Sequence, residues 1–278
     1  MMLTLLALVI WLGAWALNHR LSRLNAPWVA TVAPIIFGVT LLLMWELLVR
    51  GLNVSGVILP PPSAIWVSFM RNLPTLWQDL VQTVFKGALS GYVIGVIAAF
   101  VVALLADRFA FLRRGLLPVG GFLSALPIVG TAPIFVMWFG FGWQSKAAVV
   151  VAMVFFPLLV NIVAGLRDTT VQQRDLMTTY AAGYWQVLLK LRLPAAMPFI
   201  FNGLKISTTL ALIGAIVAEF FGSPTQGLGF RIDASRGRLA LDVVWSAIVM
   251  SAIAGSLFYG LVALVERAVT FWHPSQRK

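Results

Sequence analysis

Nine carboxylates are the residues of this 278-residue chain best suited to chemistry: Glu46, Asp79, Asp107, Asp168, Asp175, Glu219, Asp233, Asp242 and Glu266. A close pair could run general acid–base catalysis, and an acid inside an apolar span could carry protons or ions. Their placement argues against both, because each lies at the end of an apolar run or between two. The chain has no Cys, which removes disulfides, thiolate nucleophiles and Cys-based metal sites. His19 and His273 lie far apart near the chain ends, so no metal site is expected on them. No HExxH, Ser-nucleophile motif or phosphate-binding loop is present. The expectation is a chain with no catalytic residue, no bound cofactor and no metal. A proton-driven carrier would want a titratable group near the bilayer midplane. With none in evidence, energy must arrive through a partner.

Two charges and two of three helix-interrupting prolines remain as candidates for a translocation path or gate. Glu219 closes the stretch ALIGAIVAEF and reads either as an interfacial cap or as a gate at the external mouth. Lys205 lies within about two helical turns of Pro198. It reads either as a side chain snorkelling to the headgroups or as a pathway charge. Pro127 and Pro133 interrupt GFLSALPIVGTAPIFVMWFG, and Pro157 interrupts VFFPLLV. Proline removes a backbone donor, so such breaks kink a helix or line a pathway. Adding the flexible Met137, the candidates are Pro127, Pro133, Met137, Lys205 and Glu219.

The elements that must position these residues are membrane helices. Hydrophobic residues make up 60% of the chain and charged ones 10%, with mean hydropathy +0.94. Soluble domains carry about 25% charge. The net charge of +11 does not indicate nucleic acid, because Lys and Arg are scattered between apolar runs with no basic stripe. Spans of about 20 apolar residues are expected near 28–48, 82–106, 115–139, 146–166, 195–218 and 243–265. The last part of the uncharged run to Ser145 is expected to be the turn GFGWQSK. Residues 1–18 form a further apolar segment, without the basic flank or cleavage site of a secretory signal, and are expected to be retained as an extra spanning helix. Arg20, Arg23, Arg108, Arg113, Arg114, Arg167, Arg174, Lys190, Arg192, Arg267, Arg277 and Lys278 fall on one side, which should be the cytoplasm. That puts the C-terminus inside. Pro60, Pro61 and Pro62 precede an expected amphipathic surface helix, Ala64–Leu73, capped by Ser63 and stopped before Pro74. It reads as an interfacial connector or as a contact for an external partner. Gly87, Gly91 and Gly95 share one helix face and should permit close helix approach, within a bundle or at a homodimer interface.

The stretch DLMTTYAAGYWQVLLKLRLPAAMP, Asp175 to Pro198, is a charged, amphipathic interruption between the fourth and fifth spans. Thr169 or Thr170 can start a helix, and a turn is expected around Ala182 and Gly183. A second short helix, Trp185–Leu191, should end before Pro194. Two helices this short would be marginal in water, so they must pack on their own membrane helices or dock into a peripheral protein.

These residues carry a resemblance to the permease subunits of bacterial ATP-binding-cassette importers. That family's signature is Glu-Ala-Ala, three residues, Gly, nine residues, then Ile-x-Leu-Pro. The acid position falls on Asp175, the Ala pair on Leu176 and Met177, and the Gly on Ala181. The final group falls on Leu191, Arg192, Leu193 and Pro194. The acid, Leu193 and Pro194 fit, whereas the Ala pair and Gly depart. The departures resemble the nitrate, sulfonate, taurine and thiamine-precursor branch. LPPPSAIW, LSALPIVGTAPIFVMWFGFG, RLPAAMPFIFNGLKI and the ending GLGFRIDAS through VERAVTFWHP look like the same branch.

The resemblance implies an all-α, six-helix type I importer permease core over residues 24–274, with residues 1–18 outside the commonest pattern. It implies a second permease copy, most often identical, and a pair of cytoplasmic ATPase subunits that hold ATP and magnesium. It also implies a periplasmic or lipid-anchored binding protein that delivers a small-molecule substrate. Residues 167–194 would be the cytoplasmic coupling loop, with Asp175, Tyr180, Ala181, Leu191, Leu193 and Pro194 engaging the ATPase. The substrate it suggests is a pyrimidine or other vitamin precursor, including riboflavin, with sulfonate, taurine or nitrate as the alternative. An ion-coupled secondary carrier or a non-transporting membrane scaffold are the alternatives of another class.

Overall fold

The computed structural model describes residues 2–24, 26–124, 127–222 and 225–272. Ser223, His273, Arg277 and Lys278, and the Ala125–Leu126 part of the LSALPIVG stretch, lie outside the described residues. Among the described residues every regular element is helical. The chain runs α1 (Met2–Leu21), α2 (Val29–Gly51) and α3 (Pro62–Leu80), then a π-helical segment Val81–Ala88. It continues with α4 (Leu89–Arg108), α5 (Ala110–Ser124), α6 (Ile128–Phe139) and α7 (Trp143–Leu166). Next come α8 (Val171–Thr179), α9 (Tyr184–Val187), a second π segment Leu188–Arg192, α10 (Leu193–Gly222), α11 (Leu228–Gly237) and α12 (Leu241–Val269).

Six helical runs are long and apolar enough to cross a membrane: Met2–Leu21, Val29–Gly51, Pro62–Arg108, Trp143–Leu166, Tyr184–Gly222 and Leu241–Val269. The all-α polytopic architecture therefore holds, with α1 as the extra N-terminal helix. The region expected as one span over 115–139 takes another form. Its two helices, α5 and α6, have 15 and 12 residues, each short of a bilayer crossing. Pro127 stands immediately before α6 with extended backbone, φ −71° and ψ 103°.

Three local expectations are corrected. The helix from Pro62 does not stop before Pro74 but runs through it to Leu80 and on into the π segment. One proline removes one backbone bond and kinks a helix; it does not end one whose neighbours remain helical. Ser63 does not cap α3, since it lies inside it. Its amide and hydroxyl instead donate to the Glu46 carboxylate of α2 at 3.0 and 2.8 Å. An acid thus sits at a helix N-terminus, where free N–H groups favour it. Lys146 is not in a turn. Gly142 precedes α7, and Lys146 is its fourth residue, only 1% exposed.

The chain forms two compact units: Met1–Leu76 with Arg231–Ile248, and Trp77–Phe230 with Val249–Lys278. In the first, α1 packs along α2, where a Cβ on Gly51 would meet Leu3 Cβ and Thr4 Cγ2 at 3.0 Å. Trp45 of α2 stands edge-on to Trp245, centroids 4.8 Å apart.

In the second unit, α4, α7 and α10 make the core. Ala99 and Ala103, Leu158, Leu159 and Ile162, and Ala196 and Ile200 are all buried together. Lipid offers no hydrophobic drive for helices to associate, so close van der Waals approach must supply it. Gly91 permits it, because a Cβ there would stand 2.5 Å from Val150 Cβ. The expected glycine face thus serves α4–α7 packing within one chain.

Candidate functional site

The segment between α7 and α10 is a small knob built by local rules. Thr170 caps α8: its hydroxyl accepts from the Gln173 amide at 3.2 Å, and the Gln173 side chain accepts from the Thr170 amide at 3.0 Å. The other end of α8 closes with two bonds, Ala182 N–H to Met177 O at 3.0 Å and Ala181 N–H to Thr178 O at 2.9 Å. This bond pair requires a left-handed residue just past the helix, and Ala181 takes it with φ +51°. The turn is therefore centred one residue earlier than Ala182–Gly183. Gly183 heads the second helix instead, its N–H donating to Gln186 Oε1 at 3.0 Å.

The second helix does not end before Pro194. Tyr184–Val187 passes through the π segment into α10 without a break, and Leu193 and Pro194 are its first two residues. Pro194 has no N–H to give Lys190 O. The backbone widens to a π turn instead, with Leu193 N–H reaching Leu188 O.

The coupling candidates fall into two groups. Asp175 and Tyr180 are on or beside the exposed α8, which has no buried residue. Tyr180 is 76% exposed, and the apolar Leu176 and Trp185 are also uncovered. Leu191, Leu193 and Pro194 are half-buried at the root.

Sequence reasoning missed the polar cluster at that root. Asp107, next to last in α4, accepts from Arg192 through both oxygens, at 2.5 and 2.8 Å. Tyr184 Oη donates to the same carboxylate at 2.8 Å, and Arg192 Nε donates to Leu166 O, the end of α7, at 2.9 Å. The Arg108 guanidinium lies 4.8 Å above the Tyr184 ring. An acid at a helix C-terminus opposes the dipole, and the bidentate arginine offsets that. The signal in the sequence was Arg192, the variable position inside Leu191–Pro194.

The path candidates do not form one site. Pro127, Pro133 and Met137 belong to α6 or its start. Met137 faces outward, 83% exposed, while its neighbour Val136 packs against Gly222 of α10. Lys205 pairs with Glu266 of α12 at 2.7 Å. It lies 14 residues, about 21 Å along the helix, from Glu219. An open apolar groove of about 430 Å³ between α4, α6 and α7 has Ile94, Phe135, Phe139 and Trp143 among its walls and touches none of the five.

Glu219 is 2% exposed, which excludes a solvated cap. Its carboxylate accepts from Thr83 Oγ1 at 2.8 and 2.9 Å and from Gly229 N–H at 2.8 Å. Thr83 Oγ1 also takes Leu228 N–H at 2.8 Å, and Asp79 takes Gly227 N–H at 2.8 Å. The amides that begin α11 are thus held by one hydroxyl and two carboxylates. Lys146 Nζ donates to Phe141 O at 2.7 Å and to Gly222 O at the end of α10. Nothing in the local pattern marked Asp79, Thr83 or Lys146, because their partners are far along the chain.

Among the described residues no group of three or more His, Cys, Asp or Glu is placed to hold a metal. Residues 91–271, from α4 to just past α12, match the model of the binding-protein-dependent transport system inner membrane component family. A probable ABC transporter permease protein of Haemophilus influenzae is 30% identical over 85% of this chain and 96% of its own length. The riboflavin transport system permease protein of Chloroflexus aurantiacus is 30% identical over 85% and 90%. A putative aliphatic sulfonates transport permease protein of Bacillus subtilis is 29% identical over 84% of each. With a helical core of α4, α7 and α10 inside the matched region, the chain belongs to the family of binding-protein-dependent inner membrane components, the permease subunits of ABC importers.

Proposed function

We propose that the α8–α9 knob docks this permease onto a cytoplasmic ATPase and that nucleotide-driven closure of two such ATPases swings the permease between its access states. ATP and magnesium would sit on those partners. The observation that carries this reading is the uncovered apolar surface of the knob, Leu176, Tyr180 and Trp185, on and beside two short helices with no buried residue of their own. Two such short helices are marginal unless something covers them. Residues 167–194 then act as the coupling loop of a permease domain spanning 24–274, with 1–18 as an added membrane segment. Asp175, Tyr180 and Ala181 lie at the contact, and Leu191, Leu193 and Pro194 carry it into α10. The coupling loop and C-terminus face the cytoplasm, and a second copy of the chain completes the path. Met137, Pro127, Pro133, Lys205 and Glu219 remain its candidate path or gate residues.

Leu176→Asp should abolish co-purification of the ATPase while leaving the permease monodisperse. Retention of the ATPase at wild-type stoichiometry would remove the assignment. Ala181→Leu should uncouple binding-protein-stimulated ATP hydrolysis, since a bulky side chain at φ +51° both strains the turn and crowds the contact.

The substrate reading with most support is a small organosulfonate such as an aliphatic sulfonate or taurine, delivered by a binding protein. Relatives named for aliphatic sulfonates and for taurine cover 84–89% of this chain at 27–29% identity. A second reading, a vitamin or its precursor, draws on the relatives named for riboflavin and formylaminopyrimidine, each 30% identical. Calorimetric titration of the cognate binding protein with taurine, an alkanesulfonate, nitrate, riboflavin and formylaminopyrimidine decides between them. Heat from the vitamin compounds alone would overturn the first reading.

A further inference from the structure

We propose that Asp107 and Arg192 are positioning residues of the transport cycle. The pair is the brace through which displacement of the α8–α9 knob reaches α4 and α7. The inference rests on the reading of the knob as the ATPase-docking element.

The knob packs on the α4–α7–α10 core only where Tyr184 and the adjoining Leu188 reach it, and α8 has no buried residue. The bonds that shape α8, its cap and its closing turn, are internal to residues 170–182. Its only continuous connection toward α10 runs through the π segment Leu188–Arg192. A π turn is wider and more poorly bonded than an α turn, so it is the weak point of that connection. Arg192 spans this weak point. Its guanidinium grips Asp107 at the end of α4 with two bonds and Leu166 O at the end of α7 with a third. Tyr184, where the knob re-enters, adds a bond to the same carboxylate. The side chains are well shielded, at 17% exposure for Arg192 and 6% for Asp107, so the pair is stiff rather than solvent-averaged. Load entering at Tyr180 or Trp185 therefore has a route into three long helices, where the backbone alone leads only to α7 and α10. Coupling between distant places travels through such contiguous, rigid contacts.

The test uses the whole complex in lipid nanodiscs with a Cys-free ATPase. The permease itself has no Cys. Phe221→Cys at the far end of α10, 42% exposed, therefore gives one spin label per copy. The label-to-label distance is measured without nucleotide and after trapping with ATP and vanadate. In the Asp107→Asn and Arg192→Lys complexes the ATPase should co-purify normally and hydrolyse ATP within about twofold of wild type, while the nucleotide-driven distance change falls at least about threefold. The exchanged pair Asp107→Arg with Arg192→Asp should restore the change only in part, because a carboxylate at position 192 cannot donate to Leu166 O. Tyr184→Phe, which removes one hydroxyl and is the mildest variant, should reduce it partly. A full distance change in the single variants overturns the brace while leaving the docking reading intact. Loss of the ATPase from these variants also overturns it, since the pair would then belong to the docking surface. A Leu176→Asp complex that keeps its ATPase, or a wild-type complex with no distance change, overturns the docking reading itself.

Discussion

The second unit carries two polar clusters at opposite ends of the same helices, and they solve different problems. At the knob root, Asp107 and Arg192 balance one another's charge, and the pair keeps some contact with solvent. At the other end, Glu219 and Asp79 are almost wholly buried, and their partners include backbone amides at the start of α11 and one threonine hydroxyl. The first cluster joins side chains to the ends of α4 and α7. The second holds the Gly227, Leu228 and Gly229 amides at the start of α11. Reversing the ion pair keeps its charge balance and loses the bonds to Leu166 O and Tyr184. A cation in place of the buried carboxylate would leave the amides it holds without that acceptor. Both lie beside a π segment, Val81–Ala88 and Leu188–Arg192.

The contrast can be broken by substitution. Glu219→Leu should have the largest effect. It removes the acceptor of Gly229 N–H and of Thr83, and should lower stability by about 3 kcal/mol, read as a drop in the thermal unfolding midpoint in detergent. An unchanged midpoint would mean the cluster at that end is ornamental. Gly227→Ala comes next. Gly227 has φ +129°, and a Cβ there would run into the Glu219 carboxylate. A loss of about 2 kcal/mol is expected in the same assay. Asp107→Asn should be milder, about 1–2 kcal/mol, because the pair keeps some contact with solvent and the amide oxygen still accepts from Tyr184 or Arg192. If it destabilises as much as Glu219→Leu, the distinction between brace and latch fails. Ala181→Gly should be the smallest and of opposite sign. Relief of the left-handed alanine should stabilise by about 0.5–1 kcal/mol, seen as a small rise in midpoint with coupling retained.

The glycine position of the family signature illustrates what was legible. Ala181 stood out in the sequence as a departure from the family's glycine. The backbone gives the reason, a φ of +51° in a helix-closing turn, where glycine is favoured because it has no Cβ to clash. The cap at Thr170 was legible because its partner, Gln173, is three residues away. Lys146 was misread because a lysine after GFGWQS looks solvated; it is buried because it ends at Gly222 O, 76 residues on. Pro74 and Pro194 were read as helix stops, yet both lie inside helical runs. Propensity describes an isolated turn, and neighbouring helical residues override it.

The amino-acid sequence alone determined that this is a polytopic membrane permease, where its apolar runs lie, and that a polar knob interrupts them. Those features depend on composition and on residues a few positions apart. Tertiary structure alone decided which charges matter together. Asp107 meets Arg192 across 85 residues and Thr83 meets Glu219 across 136. Such pairs leave no local pattern, because they form only when α4, α7 and α10 pack closely enough to bring their ends together.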